Sequence, residues 1–330
     1  MTSGAGAASG GRATDLVLEG SGVKGLALAA VAVTLGRHGW RFPRVAGTSA
    51  GAIAAAVLVA LDRAGEPIER AEELARDLPY AKLRDRSTVG RLLGPMGRVV
   101  DALSLAVDGG MYEGHRLHDW LRGVLGDLGV HTFADLREDD PGSALAPARA
   151  YRLVVLASDL SRRRLVRLPW DYPDYGLDPD EMAVADAVRA SASIPFFFEP
   201  VTMRGTGGVS TLVDGGLLST YPVSIFDRDD GVQARWPTLG VRLTAGLGGH
   251  RSPEPVRGPL SMALAVVEAA LEAAQSQHVD DPATVARSVF VDTSGVPCTD
   301  FGITPDQQQQ LWEAGRRAAE RHVWAREETQ

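Results

Sequence analysis

At 330 residues the chain has room for one large domain or two ordinary ones, and a composition 45% apolar and 23% charged is that of a core-forming protein. A formal net charge of -8 argues against a general nucleic-acid binder, which needs a basic face, and against docking on anionic membranes by charge alone. The single cysteine, Cys298, leaves no disulfide framework and no cysteine-rich zinc site.

Met1 to Thr14 is Gly, Ala and Ser with one arginine and no apolar stretch, so it reads as a disordered tail and not as a signal peptide. Asp15 to Glu19 is a short apolar strand that runs into Gly20-Ser21-Gly22-Val23-Lys24-Gly25, and a helix follows from about Leu26 to Leu35. Arg44 to Gly47 is a second short strand, turning at Thr48-Ser49 into an Ala- and Leu-rich helix, Ala50 to Leu61. That helix is the longest apolar stretch and is too short to cross a bilayer. Strand, glycine turn and helix, twice in succession, predict an α/β sheet with buried, parallel strands.

Asp62 to Arg137 is amphipathic helix broken by Gly and Pro. Within it the segment from about Arg84 to Tyr112 combines five glycines with Leu92, Leu93, Met96, Val99 and Val100. It reads either as a mobile cover over a site or as a packed helical insertion. Tyr151 to Ala157 is a strong strand, with Arg164 to Leu168 as its hairpin partner. Asp180 to Ser191 is helical and stops at Ile194-Pro195; the run Phe196-Phe197-Phe198 reads first as core and second as a pocket wall. Thr211 to Val213 is a strand ending at Asp214-Gly215-Gly216. Leu239 to Leu243 and Ser288 to Val291 are further strands, separated by a helix from Pro259 to Gln277, and a last helix runs from about Pro305 to Arg326. With no repeat and no long linker, residues 15–226 form a core that 227–330 completes as one domain.

Gly47-Thr48-Ser49-Ala50-Gly51 is a G-x-S-x-G pattern between a strand and a helix. That position lets a sharp turn present the serine hydroxyl while the glycines admit neighbouring backbone. Gly20 to Gly25 matches G-x-G-x-x-G, which is also a dinucleotide fingerprint. A dinucleotide site wants a carboxylate at the end of the second strand, and Gly39 to Arg44 carries none. A glycine loop facing a serine is better read as an oxyanion hole built from backbone N–H groups. Lys24 within it either attracts phosphate or ties down the loop. None of the seven histidines (His38, His115, His118, His131, His250, His278, His322) sits in a recognisable base context.

With these motifs in order, the chain resembles the patatin-like phospholipases over most of its length. The glycine-rich loop, the serine elbow and the Asp214-Gly215-Gly216 turn correspond to the family's three signatures. Ala190 to Pro195, Phe198, Pro200 and Tyr221-Pro222-Val223 also match. Lysine occurs only at Lys24 and Lys82, an arginine-for-lysine bias that suits a bacterial member. Ser21 stands where the family usually has glycine, and Thr220 where asparagine is common.

The resemblance implies a three-layer α/β/α sandwich around a mostly parallel sheet. It makes Ser49 the nucleophile and Asp214 the general base of a dyad, with the oxyanion hole at Gly20 to Gly25, centred on the N–H groups of Gly22 and Val23. The implied activity is a phospholipase A or lysophospholipase reaction through an acyl-enzyme, with no metal and no cofactor. The substrate is a lipid met at a membrane or micelle surface, and the location cytoplasmic or peripheral to a membrane. Two other readings stay open: a Ser-His-Asp carboxylesterase of the α/β-hydrolase type, and a non-catalytic lipid-binding protein that keeps the fold.

Overall fold

The computed structural model describes residues 12–78, 110–112, 114–244, 256, 258–276, 281–296 and 302–327. The strands are β1 (Arg12–Ala13), β2 (Asp15–Leu18), β3 (Trp40–Arg41), β4 (Val45–Thr48), β5 (Gly110–Tyr112), β6 (Leu153–Asp159), β7 (Arg164–Leu168), β8 (Phe196–Phe198), β9 (Val201–Gly205), β10 (Gly208–Asp214), β11 (Thr238–Thr244) and β12 (Ser288–Asp292). The α-helices are α1 (Gly25–Arg37), α2 (Ala50–Ala64), α3 (Arg70–Asp77), α4 (His115–Asp127), α5 (Val184–Ser191), α6 (Gly258–Ser276), α7 (Pro282–Ala286) and α8 (Pro305–Glu327).

Among the described residues, eight strands make the central sheet, in the order β12-β11-β2-β4-β6-β10-β9, with β7 also on β6. From β12 to β6 the strands are parallel; β7, β9 and β10 are antiparallel to their partners. The result is the expected three-layer α/β/α sandwich. β2, β4 and β6 are buried along their whole length, which is why they read as unbroken apolar runs: a parallel strand covered on both faces needs no polar alternation. Asp15 is the exception inside β2, and its charge is met there by the Arg44 guanidinium.

The order of pairing along β6 positions the site. Residues Leu153–Leu156 pair with β4 and Ala157–Asp159 pair with β10, while Val155–Asp159 pair with β7. A strand has only two edges, so β4 and β10 occupy the same one. They run toward each other and end on adjacent rungs, Thr48 opposite Leu156 and Asp214 opposite Ala157.

The structure departs from the sequence reading in several places. The ordered chain starts before Asp15: β1 pairs with β3, the Thr14 N–H donates to the Arg41 carbonyl at 3.0 Å, and the Thr14 hydroxyl to the Pro237 carbonyl at 2.7 Å. β9, not anticipated, forms a hairpin with β10. The helix expected from Asp180 starts at Val184, after a 3-10 turn at Pro179–Glu181. β11 and β12 extend the sheet beyond β2, and α8 packs on α1. The Arg84 to Tyr112 segment lies outside the described residues except Gly110–Tyr112, which pair with Phe196–Phe198.

Candidate active site

Ser49 joins β4 to α2 with φ 53° and ψ -121°, a backbone conformation that costs a non-glycine residue about 1–3 kcal/mol and persists only where its surroundings enforce it. Those surroundings are specific. A Cβ on Gly47 would lie 2.3 Å from the Gly51 carbonyl, and one on Gly51 would lie 2.4 Å from the Leu18 carbonyl oxygen, so both flanking positions require glycine. The Ser49 N–H donates to Ser191 Oγ at 2.9 Å, and the Ser191 hydroxyl donates onward to the Leu156 carbonyl at 2.5 Å. The Ser49 carbonyl accepts from the N–H groups of Ala52 and Ile53 at 2.9 and 3.1 Å. Ser191 is thus a bracing residue that sequence reasoning missed. It lay in a stretch quoted only for resemblance, and nothing local to it signals a contact with Ser49.

Asp214 arrives from the other direction, at the end of β10. Its Oδ1 accepts the Gly216 N–H at 2.7 Å and caps the 3-10 turn Gly215–Leu217. A Cβ on Gly215 would lie 2.4 Å from the Leu156 carbonyl oxygen, so this turn also needs its glycine. Burial pushes the Asp214 carboxyl up from 3.8 to about 6, against hydrogen bonding from the Ser49 hydroxyl and the Gly216 N–H, which favours the charged form. Oδ2 is buried and makes no hydrogen bond of ordinary geometry. A carboxylate in this state is largely ionised at neutral pH yet a better proton acceptor than an exposed one.

The glycine-rich loop forms the third wall. Gly22 takes a positive φ of 58° and starts the 3-10 turn Gly22–Lys24. The Gly20 N–H donates to the Thr220 carbonyl at 2.9 Å and the Lys24 N–H to the Ser21 carbonyl at 3.3 Å. The first N–H groups of a helical turn have no partner within it, which leaves those of Gly22 and Val23 at the loop's apex. The two departures from the family pattern, Ser21 and Thr220, are both buried, and neither hydroxyl has a hydrogen-bond partner. Lys24 is buried, and its Nζ donates to Thr293 Oγ1 at 3.1 Å, which ties the loop to the residue after β12.

Ser49, Gly22 and Val23 open onto one cavity. Ala50, Ile53, Ala54, Val57 and Leu58 of α2 form its length; Ala71 and Ala75 of α3, Trp120 of α4, Ile194 and Phe198 close it. Among the described residues none that lines it carries a charged side chain. Phe198 is both core and pocket wall, and Phe197 meets its ring edge-on at 5.5 Å and packs against the core. Among the described residues no histidine lines this cavity; His118 pairs with Asp186 at 2.6 Å in a separate groove. His250 and His278 lie outside the described residues.

The sequence model of the patatin-like phospholipases matches residues 16–227, a span that contains the serine elbow, Asp214 and the glycine-rich loop. The chain belongs to the patatin-like phospholipase family. That membership places it among lipid hydrolases. A relative from Bacillus subtilis, the uncharacterized protein YqhO, is 33% identical over 306 residues, covering 93% of this chain and 96% of its own length. Among solved structures, VipD from Legionella pneumophila shares the fold with a TM-score of 0.50 at 17% identity, over 94% of this chain and 66% of VipD. The type III effector ExoU aligns at 19% identity with a TM-score of 0.44, and this chain spans about half of it, 53%. As a patatin-like phospholipase the chain carries its signature residues at the C-terminal ends of β2, β4 and β10, while β11, β12 and α8 follow the matched span.

Proposed function

We propose that the protein hydrolyses carboxylic esters of lipids, as a phospholipase A or lysophospholipase, through a Ser49–Asp214 dyad and an acyl-enzyme. The observation that carries this reading is the meeting of a buried carboxylate with a strained serine that opens onto a mainly apolar cavity. Asp214 accepts the Ser49 proton as Oγ attacks the acyl carbonyl carbon. The negative oxygen that forms is held by the N–H groups of Gly22 and Val23, and the acyl chain lies along α2. Collapse expels the alcohol, which leaves with the proton from Asp214. Water then attacks the acyl-enzyme, giving its proton to Asp214; collapse breaks the bond to Ser49 Oγ, which takes that proton back as the fatty acid leaves. The lipid is met at a membrane or micelle surface, and no step requires a metal or cofactor.

Labelling with a long-chain fluorophosphonate tests the nucleophile: mass spectrometry is expected to place the adduct on the Ser49 peptide, and Ser49→Ala to abolish it. Hydrolysis of phospholipid, lysophospholipid and triglyceride panels is expected to proceed in excess EDTA. An adduct on another serine with Ser49 unmodified, or a loss that calcium restores, refutes the respective assignment.

A further inference from the structure

The glycine-rich loop is held from beneath by residues that follow the family-matched span. Glu19, the residue before Gly20, is buried; its N–H donates to the Val241 carbonyl at 3.2 Å and its Oε2 accepts the Leu243 N–H at 2.5 Å. Arg242 Nε stands 3.8 Å from Glu19 Oε1. At the other end of the turn, Lys24 Nζ reaches Thr293, the residue after β12. Thr293 is itself fixed: its N–H and its hydroxyl donate to the Thr244 carbonyl at 2.9 and 3.3 Å. The turn that carries Gly22 and Val23 is thus stapled at both ends to the β11–β12 pair. A buried ammonium is expensive to keep without partners; Lys24 Nζ meets the Thr293 hydroxyl, with the Asp292 carboxylate and the Glu19 carboxyl, which burial raises to about 7, nearby.

We propose that Thr293 is a positioning residue for ester hydrolysis: through Lys24 it holds the Gly22–Lys24 turn, and with it the oxyanion-binding N–H groups, at the height of Ser49. The proposal rests on the hydrolase reading above. It assigns the C-terminal strands, which contribute no reacting group, the task of fixing the donors that meet the developing charge. Donors aimed at a transition state act through placement, and a shift on the order of 1 Å is enough to lower rates by about 10²-fold.

The test is Thr293→Val, which keeps the side chain's shape and removes the acceptor, with Thr293→Ala as a second variant if valine does not fold. Esters of a soluble medium-chain acid serve as substrate. The variant is expected to lower kcat by about 10-fold or more while KM stays within about twofold, because the α2 wall along which the acyl chain lies is untouched. Thr293→Ser is expected to restore kcat, and in a Lys24→Met background Thr293→Val is expected to have little further effect. A readout independent of catalysis is the reactivity of Lys24 toward an amine-acetylating reagent, followed by mass spectrometry. Lys24 is expected to be protected in the parent and to label faster in Thr293→Val. Folded Thr293→Val with parental kcat, failure of serine to rescue, or unchanged Lys24 labelling overturns the proposal. If the parent hydrolyses no ester while Lys24 labelling still responds to Thr293, the hydrolase reading fails and the staple stands.

Discussion

Asp214 illustrates how one residue sets opposing demands on rate and stability. Burial raises its carboxyl from 3.8 to about 6, so between those values the folded state holds a proton that the unfolded state has released. Stability from this group therefore falls as pH rises from about 4 to about 6, and above pH 6 the full cost of a buried charge remains, on the order of 2–3 kcal/mol. The hydrolytic rate runs the other way: kcat is expected to rise through an inflection near pH 6 and then level off. Asp214→Asn removes the charge and the base together. It is expected to cut hydrolysis by about 10²–10⁴-fold while raising the melting temperature at pH 7 and not at pH 4. Each histidine variant that folds is expected to keep the rate within roughly threefold, an effect under about 1 kcal/mol on the barrier. A histidine variant as inactive as Ser49→Ala would falsify the dyad. At this scale the sequence was most legible where backbone crowding dictates glycine, at Gly47, Gly51 and Gly215. Ser191 and Thr293 were not legible, because their contacts join positions 142 and 269 apart in the chain and leave no local pattern.

Among elements, α2 does two jobs with one sequence. Its buried side packs on β4 and β6, while Ile53, Ala54 and Val57 face the cavity. The rise of a helix makes the stretch from Ala50 to Leu58 about 12 Å long. Ala54 is a small residue partway along that wall. Ala54→Phe is expected to block the far end and shift preference toward shorter acyl chains: kcat/KM for a long-chain p-nitrophenyl ester falls by about 10-fold or more, while that for the acetyl ester changes by less than about threefold. Equal loss on all chain lengths would show that the acyl group lies elsewhere. The strands most visible in the sequence, β2, β4, β6 and β10, are those whose burial demands apolar runs or a glycine-marked end. β1 and β3 were invisible because a two-residue ladder has no periodicity. β9 was hidden because Val201 to Gly205 follows Pro200 and mixes exposed and buried positions without a clean alternation.

For the whole molecule, a close helix–helix junction outside the site joins α1 to α8. Gly315 of α8 lies against α1, where an added Cβ would stand 2.3 Å from the Ala27 carbonyl oxygen. Leu311, Trp312 and Ala319 of α8 are buried. Gly315→Val is expected to force the helices apart and destabilise the fold by about 1–3 kcal/mol or more, seen as a lower melting temperature. Turnover measured well below that temperature is expected to stay close to parental, since α8 does not reach Ser49. Unchanged melting would mean that the helices do not meet at this point. The sequence revealed α8 as a helix from its length and composition, but not its partner. A glycine within a helix gives no hint of which carbonyl approaches it.

The head-on arrangement of β4 and β10 along β6 also has a consequence for biosynthesis. On the dyad reading, a ribosome-bound chain that has emerged only through α2 and β6 already displays the serine elbow, but it has no base. Asp214 must be made and laid on the last rungs of β6 before the serine has a proton acceptor, and β11 and β12 come later still. On that reading acyl hydrolysis is withheld at least until β10 has been made and laid on β6.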